Sequence, residues 1–261
     1  MKKSIIFTLA LLAGMSLIAF VGLANAASDV AHPGDQKWSF EGPFGAYDRA
    51  SAQRGFHVYK EVCASCHGLQ YVAFRTLEDI GFSEPEVKAI AASYMITDGP
   101  NDIGEIYERP GLPSDYFLSP FPNDNAARTA MGGALPPDLS LIIKARSNGA
   151  NYLYALMTGY MEPPEDFDSS SGLSYNPYFQ NSAIAMPPPL FEGRLEYADG
   201  TEASVEQMSK DVVMFLAWAA EPKLEARHKL GFKFFAVMIV LTILLYFSNR
   251  KVWSSLKRKD G

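Results

Sequence analysis

The chain contains two cysteines, Cys63 and Cys66, and a histidine, His67, follows the second directly. Cys63-Ala64-Ser65-Cys66-His67 has the C-x-x-C-H spacing that attaches a c-type haem. The two thiols add to the two vinyl groups of the porphyrin as thioethers. The next residue is then held beneath the ring, where an imidazole binds iron. A thioredoxin-like redox pair needs a βαβ context, which the sequence lacks. A structural zinc site needs two further ligands at suitable spacing, and there is no other cysteine. The pattern therefore points to one covalent haem c on Cys63 and Cys66, with His67 as the first axial ligand, and it leaves no thiol for a disulfide.

The second axial ligand decides what such an iron does. An open position admits gases or peroxide, whereas a filled one restricts the iron to outer-sphere electron transfer, and a thioether raises the potential. His57 lies off the apolar face of its helix, His32 is near the chain start, and His228 borders an apolar segment, so methionine is the expected ligand. Met1 and Met15 fall in an N-terminal leader and Met238 in a C-terminal apolar stretch. Met208 and Met214 belong to one amphipathic helix and Met157 to another. Met95, Met131, Met161 and Met186 remain. Met186 is followed by Pro187-Pro188-Pro189, whose fixed φ angles stiffen a loop able to hold a weak ligand. Met131, beside Gly132-Gly133, is the next candidate, because the glycines allow close approach.

The elements that must position these residues are mostly helical. Ala52, Phe56, Tyr59 and Cys63 recur at i, i+4, i+7 and i+11, one face of a helix that delivers the cysteines to the haem edge. Turn-forming runs at residues 99–102, 110–113 and 119–122 mark irregular connections. Leu135-Pro136-Pro137-Asp138 leads into a short helical pattern with Leu141, Ile142 and Ala145 inward. A second short helix, residues 151–158, stops at Gly159. Ser204 and Gln207 fit a capping box for a helix running to about Ala220, with Val205, Met208, Val212, Phe215, Leu216 and Ala219 as its apolar face. Pro222 suits the first turn of the helix after it. Residues 194–197 are the one short strand candidate. The expected fold class is mainly α: a haem domain with long loops plus one C-terminal transmembrane helix.

Both ends carry membrane signals. Residues 1–26 read as a signal peptide, with Lys2 and Lys3, a long apolar stretch and Ala24-Asn25-Ala26 at the cleavage position; an uncleaved anchor is the alternative. Residues 230–248 are apolar and span roughly 28 Å as a helix, close to a bilayer core. Arg250, Lys251, Lys257, Arg258 and Lys259 follow, which places that end in the cytoplasm. The domains expected are a signal peptide at 1–26, a periplasmic haem domain at 27–222, a transmembrane anchor at 223–249 and a basic cytoplasmic tail at 250–261. This is a single-pass protein of the inner, cytoplasmic membrane. Of 23 basic and 29 acidic residues, the leader holds two basic ones, and residues 223–261 hold nine basic and two acidic ones. The external domain keeps 12 basic and 27 acidic residues, a net of −15. Such a surface repels nucleic acid; it either attracts basic partners or simply keeps the domain soluble. Asp98, Asp102, Glu105 and Glu108 form one acidic cluster, and Glu162, Glu165, Asp166 and Asp168 another.

Several stretches together resemble the cytochrome c1 family in its mitochondrial-like form. They are residues 54–59, 63–67, Arg109-Pro110-Gly111, Ser114-Asp115-Tyr116-Phe117, residues 133–140, Thr158-Gly159-Tyr160, Asn176-Pro177-Tyr178-Phe179, residues 186–189 and Trp218-Ala219-Ala220-Glu221-Pro222. The likeness covers nearly all of residues 38–258 in order. It implies a cytochrome c-like haem domain, haem c on Cys63 and Cys66, His67 and Met186 as axial ligands, and Arg128 paired with a haem propionate. It also implies a place in a dimeric bc1 complex beside cytochrome b. Electrons would arrive from the Rieske iron–sulfur protein and leave to a cytochrome c, soluble or membrane-anchored. His57 departs from the glutamine often found there, and Pro187 from a small residue; neither alters the ligand set.

The expected function is a one-electron relay, a redox subunit of quinol–cytochrome c reductase with no catalytic acid, base or nucleophile of its own. A free-standing membrane-anchored cytochrome c shuttle shares the motif and the anchor and is the alternative. A haem protein with an open iron site would differ by rapid carbon monoxide binding.

Overall fold

The computed structural model describes residues 30–168, 170 and 172–257. The leader expected over residues 1–26 and the tail end beyond residue 257 lie outside the described residues.

Helix α1, Arg49–Val58, starts where the Asp48 carboxylate accepts hydrogen bonds from the Ala50 and Ser51 amides. Its buried side is Ser51, Ala52, Gly55, Phe56 and Val58. The helix then widens into a π turn, Tyr59–Cys63, in which the Ala64 amide reaches the Tyr59 carbonyl at 2.8 Å. The expected inward face therefore holds as far as Tyr59, and the extra residue of the π turn leaves Cys63 half-buried. A 3-10 helix, Phe74–Ile80, precedes α2, Glu84–Ala92. Strands β1, Met95–Asp98, and β2, Tyr107–Pro110, pair antiparallel, so the turn run at 99–102 begins a hairpin connection. Helices α3, Asp124–Ala130, and α4, Gly149–Thr158, follow, with Gly159 capping α4 as expected. A two-residue pair, β3 at Ser174–Tyr175 and β4 at Ala183–Ile184, closes a loop. Helix α5, Val205–Ala220, leads into α6, Leu224–Lys257. The mainly helical, loop-rich class is the one found.

Four local expectations are corrected. Residues 139–148 form bends and turns instead of a helix; Ile142 is buried, but Leu141 and Ala145 face outward. The Leu139 amide and the Asp138 and Ser140 side chains are spent on residues 68–71, which holds the start of this run out of a helix. Residues 194–197 form no strand, because no partner strand lies beside them among the described residues. The capping box of α5 is half made: the Ser204 hydroxyl accepts from the Gln207 amide, but the Gln207 side chain turns to Asp211. Pro222 sits two residues ahead of α6 and outside its first turn.

The core is built by α1 lying against α5, with α4 on the other side of α5. Helix α5 is buried over 211–220 on every face, wider than the stripe expected, with Val205 only partly covered. Phe56 meets Phe215 and Phe117 edge-on at 5.6 and 6.0 Å, and Phe74 lies 4.3 Å from Phe117. Each such pair adds about 0.5–1.5 kcal/mol beyond the area it buries. Asp211, fully buried on α5, accepts from Ser51 at 2.7 Å, from Arg54 Nε at 2.9 Å and Nη2 at 3.0 Å, and from Gln207 at 3.1 Å. The two helices touch backbone to backbone at Gly55, where a Cβ would lie 1.9 Å from the Asp211 carbonyl oxygen.

The junction with α6 is tied from several sides. The Tyr47 hydroxyl lies 2.9 Å from the Glu221 carbonyl and 3.1 Å from that of Ala217 at the end of α5. Arg49 makes a two-pronged ion pair with Glu225, and Lys144 and Arg227 both hold Glu221. Beyond this point α6, a candidate span over Leu224–Ser254, holds a strongly apolar 18-residue window, none of which is buried. It fits a single-pass membrane anchor, and its exposure removes the core-helix reading. The helix continues without a break past residue 249 into the basic residues Arg250 and Lys251.

Gly55→Ala is expected to force α1 off α5 and lower stability by about 1–3 kcal/mol or more, since the clash is with backbone. Gly34→Ala, with nothing within 4 Å of the added methyl, is expected to change little. Thermal unfolding of the two variants beside the wild type measures the contrast.

Candidate haem site

Cys63 ends the π turn, and the next four residues coil tightly after it. The Cys66 and His67 amides donate to the Cys63 carbonyl at 3.1 and 2.9 Å. The Tyr59 hydroxyl donates to the His67 carbonyl at 3.2 Å and closes the coil from the core side. Both thiols are free and half-buried. Burial, with a smaller contribution from Cys66, pushes the Cys63 thiol up to about 12. A thiol so reluctant to ionise is a poor disulfide exchanger. Among the described residues no three His, Cys, Asp or Glu side chains converge as a metal site.

His67 is oriented from across the chain. Its Nδ1 lies 2.7 Å from the Pro137 carbonyl oxygen. A carbonyl only accepts, so Nδ1 carries the proton and the Nε2 lone pair is left for a metal. Burial lowers the His67 pKa against the opposing pull of Pro137 and Asp138, which favours the neutral, ligating imidazole.

The Pro137 carbonyl is held by a seam between residues 68–71 and 138–140. The Leu139 amide donates to the Gly68 carbonyl at 2.9 Å. Asp138 accepts from the Gln70 amide at 2.9 Å and the Ser140 amide at 2.8 Å, and the Ser140 hydroxyl accepts from the Tyr71 amide at 3.1 Å. At Gly68 the approach is close, and a Cβ would lie 2.9 Å from the Asp138 carboxylate oxygen and press on it. Pro137, Asp138, Ser140 and Gly68 were not singled out as site residues from the sequence. The Leu-Pro-Pro-Asp-Leu-Ser run was the signal present, but nothing in it says which residue its carbonyls face.

The four candidate methionines separate by environment. Met95 and Met161 are exposed. Met131 ends α3 half-buried, ahead of Gly132 and Gly133, both with positive φ. Met186 packs against the same core that Cys63 and Ala64 contact. Its loop is fixed at both ends by buried Ile184 and Leu190, and the Tyr160 hydroxyl donates to the Met186 carbonyl at 3.0 Å. Asn176, fully buried, donates to the Leu156 carbonyl at 2.8 Å and so ties the preceding β3–β4 connection to α4. A cleft of about 540 Å³ beside the loop is lined by Tyr160, Pro188 and Leu190 among others. Arg128 lies exposed on α3, with Nη1 donating to the Gly133 carbonyl at 3.2 Å. Two thiols beside one oriented, neutral imidazole are the groups that would attach a haem c and supply one of its iron ligands.

The first acidic cluster is divided by the fold. Asp98 pairs with Arg109, which also holds Asp115 at 2.6 Å, whereas Asp102, Glu105 and Glu108 stay exposed. In the second cluster Glu162, Glu165 and Asp166 are exposed, and Asp168 accepts from Ser170.

The sequence matches the model of the Cytochrome C1 family over residues 38–256. It is 51% identical over 253 residues to the protein named cytochrome b/c1 of Bradyrhizobium diazoefficiens, covering 88% of this chain and 36% of that one. The chain thus spans well under two thirds of that relative. It is 48% identical over 251 residues to the mitochondrial haem protein cytochrome c1-2 of Solanum tuberosum, covering 94% of this chain and 96% of that one. Cytochrome c1 of Rhodospirillum rubrum is 44% identical over 264 residues, with 95% and 97% covered.

Asp138→Ala leaves the partly covered Ser140 amide and the exposed Gln70 amide without their charged acceptor and is expected to cost about 1–3 kcal/mol, read as a lowered denaturant midpoint. A second prediction concerns pH. The Arg109 guanidinium, by hydrogen bonding, holds the Asp98 and Asp115 carboxyls below the ordinary aspartate value of 3.8. Depressed folded values mean that this contribution is complete above pH 3.8 and is lost as the pH falls through them. Arg109→Gln is therefore expected to speed amide exchange in β1 at neutral pH, with the difference from wild type vanishing under acid conditions.

Proposed function

The chain belongs to the cytochrome c1 family, and from that premise we propose that it relays single electrons through one haem c bound by Cys63 and Cys66, with His67 and Met186 as axial ligands. Family membership supports a haem-containing electron-transfer subunit of a bc1 complex. The finer assignments rest on the residues. The observation that carries them is the His67 ring, held by Pro137 at 2.7 Å with its second nitrogen unspent.

When bound, the haem supplies a one-electron couple, its iron passing between ferric and ferrous. The protein's part is to hold the ligands still. The seam at residues 68–71 and 138–140 fixes the imidazole plane through the Pro137 carbonyl. The three prolines and the Tyr160 hydroxyl fix the loop that carries Met186. Ligands that do not move between redox states keep the reorganisation small, and a thioether raises the potential. Arg128 has further N–H donors to offer a propionate beside the one spent on Gly133. Nothing in this scheme needs a proton donor or a nucleophile at the iron.

Electrons arrive from the Rieske iron–sulfur protein and leave to a cytochrome c, soluble or tethered, drawn by the acidic surface. Cytochrome b is the membrane neighbour in a dimeric complex, a reading supported by the relative whose printed name joins cytochrome b with c1. Residues 1–26 are a signal peptide, the haem domain faces the periplasm, and α6 crosses the inner membrane once, with its basic end in the cytoplasm.

Met186→Leu tests the scheme in native membranes with the partners present. The wild type is expected to show a low-spin c-type spectrum with the weak sulfur-to-iron charge-transfer band. The variant is expected to lose that band, fall in potential and gain carbon monoxide binding. Survival of the band would move the ligand to another methionine, with Met131 next. Failure of the chain to co-purify with cytochrome b would instead favour a free-standing shuttle.

A further inference from the structure

Phe44 is 82% exposed. A single exposed ring is unremarkable in itself. This ring, however, lies flat on Phe232 of α6, with centroids 5.0 Å apart and planes 11° from parallel. It stands at the tip of a tight turn. The Gly45 amide donates to the Gly42 carbonyl at 3.1 Å, and the Ala46 amide to the Ser39 carbonyl at 2.9 Å. Gly45 leaves no room for a side chain, since a Cβ would sit 2.1 Å from the Phe40 carbonyl oxygen. The base of the turn is anchored by buried Trp38 and Tyr47, and the Tyr47 amide donates to Glu225 in the first turn of α6 at 3.0 Å. The turn is thus fastened to the anchor helix and projects one aromatic ring along it.

The depth of that ring follows from helix geometry. The apolar stretch 230–248 is centred on Ile239. Phe232 lies seven residues toward the haem domain, which is about 10 Å at 1.5 Å per residue. Half of a bilayer's hydrocarbon core is about 15 Å. Phe232 therefore falls in the outermost acyl layer, and a ring stacked face to face with it falls at the same level. Aromatic side chains favour this boundary. The neighbouring α6 side chains Leu230, Phe234 and Phe235 are exposed as well.

We propose that the turn at residues 39–46 is a second membrane contact, in which Phe44 enters the boundary between headgroups and acyl chains of the outer leaflet. The domain is then held to the bilayer at two points, by α6 and by Phe44, and cannot swing about the α5–α6 junction. This rests on α6 being a membrane anchor. The occupant is phospholipid.

Photocrosslinking in native membranes tests it, with p-benzoylphenylalanine replacing Phe44, Ile239 or Phe191 in separate full-length chains. Phe191 adjoins Glu192, which accepts from the Val205 amide at the start of α5 at 3.2 Å. It is about 24 Å along that 16-residue helix from the membrane end. The expected result is a phospholipid adduct at positions 44 and 239 in similar yield and none at 191. A lipid adduct at 239 with none at 44, or with position 44 joined to another protein chain, overturns the second contact and leaves the anchor standing. Absence of lipid at both 239 and 44 overturns the anchor and the second contact with it.

Discussion

Asp211 is a carboxylate without access to solvent, and the layout of the whole molecule depends on how it is satisfied. Arg54, Ser51 and Gln207 supply its hydrogen bonds, and two of these three residues lie on a helix some 160 positions away in the chain. A buried pair of this kind adds little net stability over packed apolar side chains, but leaving it half made costs about 3–5 kcal/mol. It therefore selects one register of α1 on α5. Gly55 permits that register by letting the two backbones meet. Shifting α1 by a single turn would bury Arg54 against carbon and strand Asp211.

That register has consequences in both directions along the chain. Helix α1 runs on through the π turn into Cys63, and α5 runs on through Glu221 into α6. The contact that fixes one helix on the other thus sets the cysteines and histidine relative to the anchor. The α5–α6 junction is correspondingly stiff. Glu221 and Glu225, the acidic residues beside it, are each engaged by cations from elsewhere in the domain, and Tyr47 covers the last carbonyls of α5. A relay whose neighbours sit in the same membrane benefits from such stiffness, because electron transfer falls off steeply with distance.

The site itself is assembled mainly by backbone groups. Pro137 orients His67 through a carbonyl, Tyr160 holds Met186 through a carbonyl, and the seam that supports Pro137 consists largely of amides. A proline is suited to such a place: it has no N–H to satisfy, and its rigid ring keeps the carbonyl direction constant. The irregular stretches that the sequence marks with prolines and glycines are, for this reason, where the proposed ligands are held. Regular helices supply the frame, and loops with few conformations supply the grip.

What the sequence determined by itself was whatever is local or periodic. The C-x-x-C-H spacing names its chemistry without a fold. The period of α5, the stop of α4 at Gly159 and the length of the apolar stretch in α6 follow from 3.6-residue geometry and the thickness of a bilayer. Tertiary structure decided the rest. The pattern at Leu141, Ile142 and Ala145 looked helical, but the bonds of residues 138–140 to residues 68–71 claimed its start, and it stayed a set of turns. Residues 194–197 had the composition of a strand, but a strand needs a partner, and none lies beside them among the described residues. Gln207 leaves the Ser204 amide without its side-chain oxygen because its amide nitrogen donates to a buried carboxylate on the next turn of α5. Pro137's role lay beyond reach for the same reason: a backbone carbonyl carries no residue-specific signal, and which histidine it meets, 70 positions away, is settled when the chain packs.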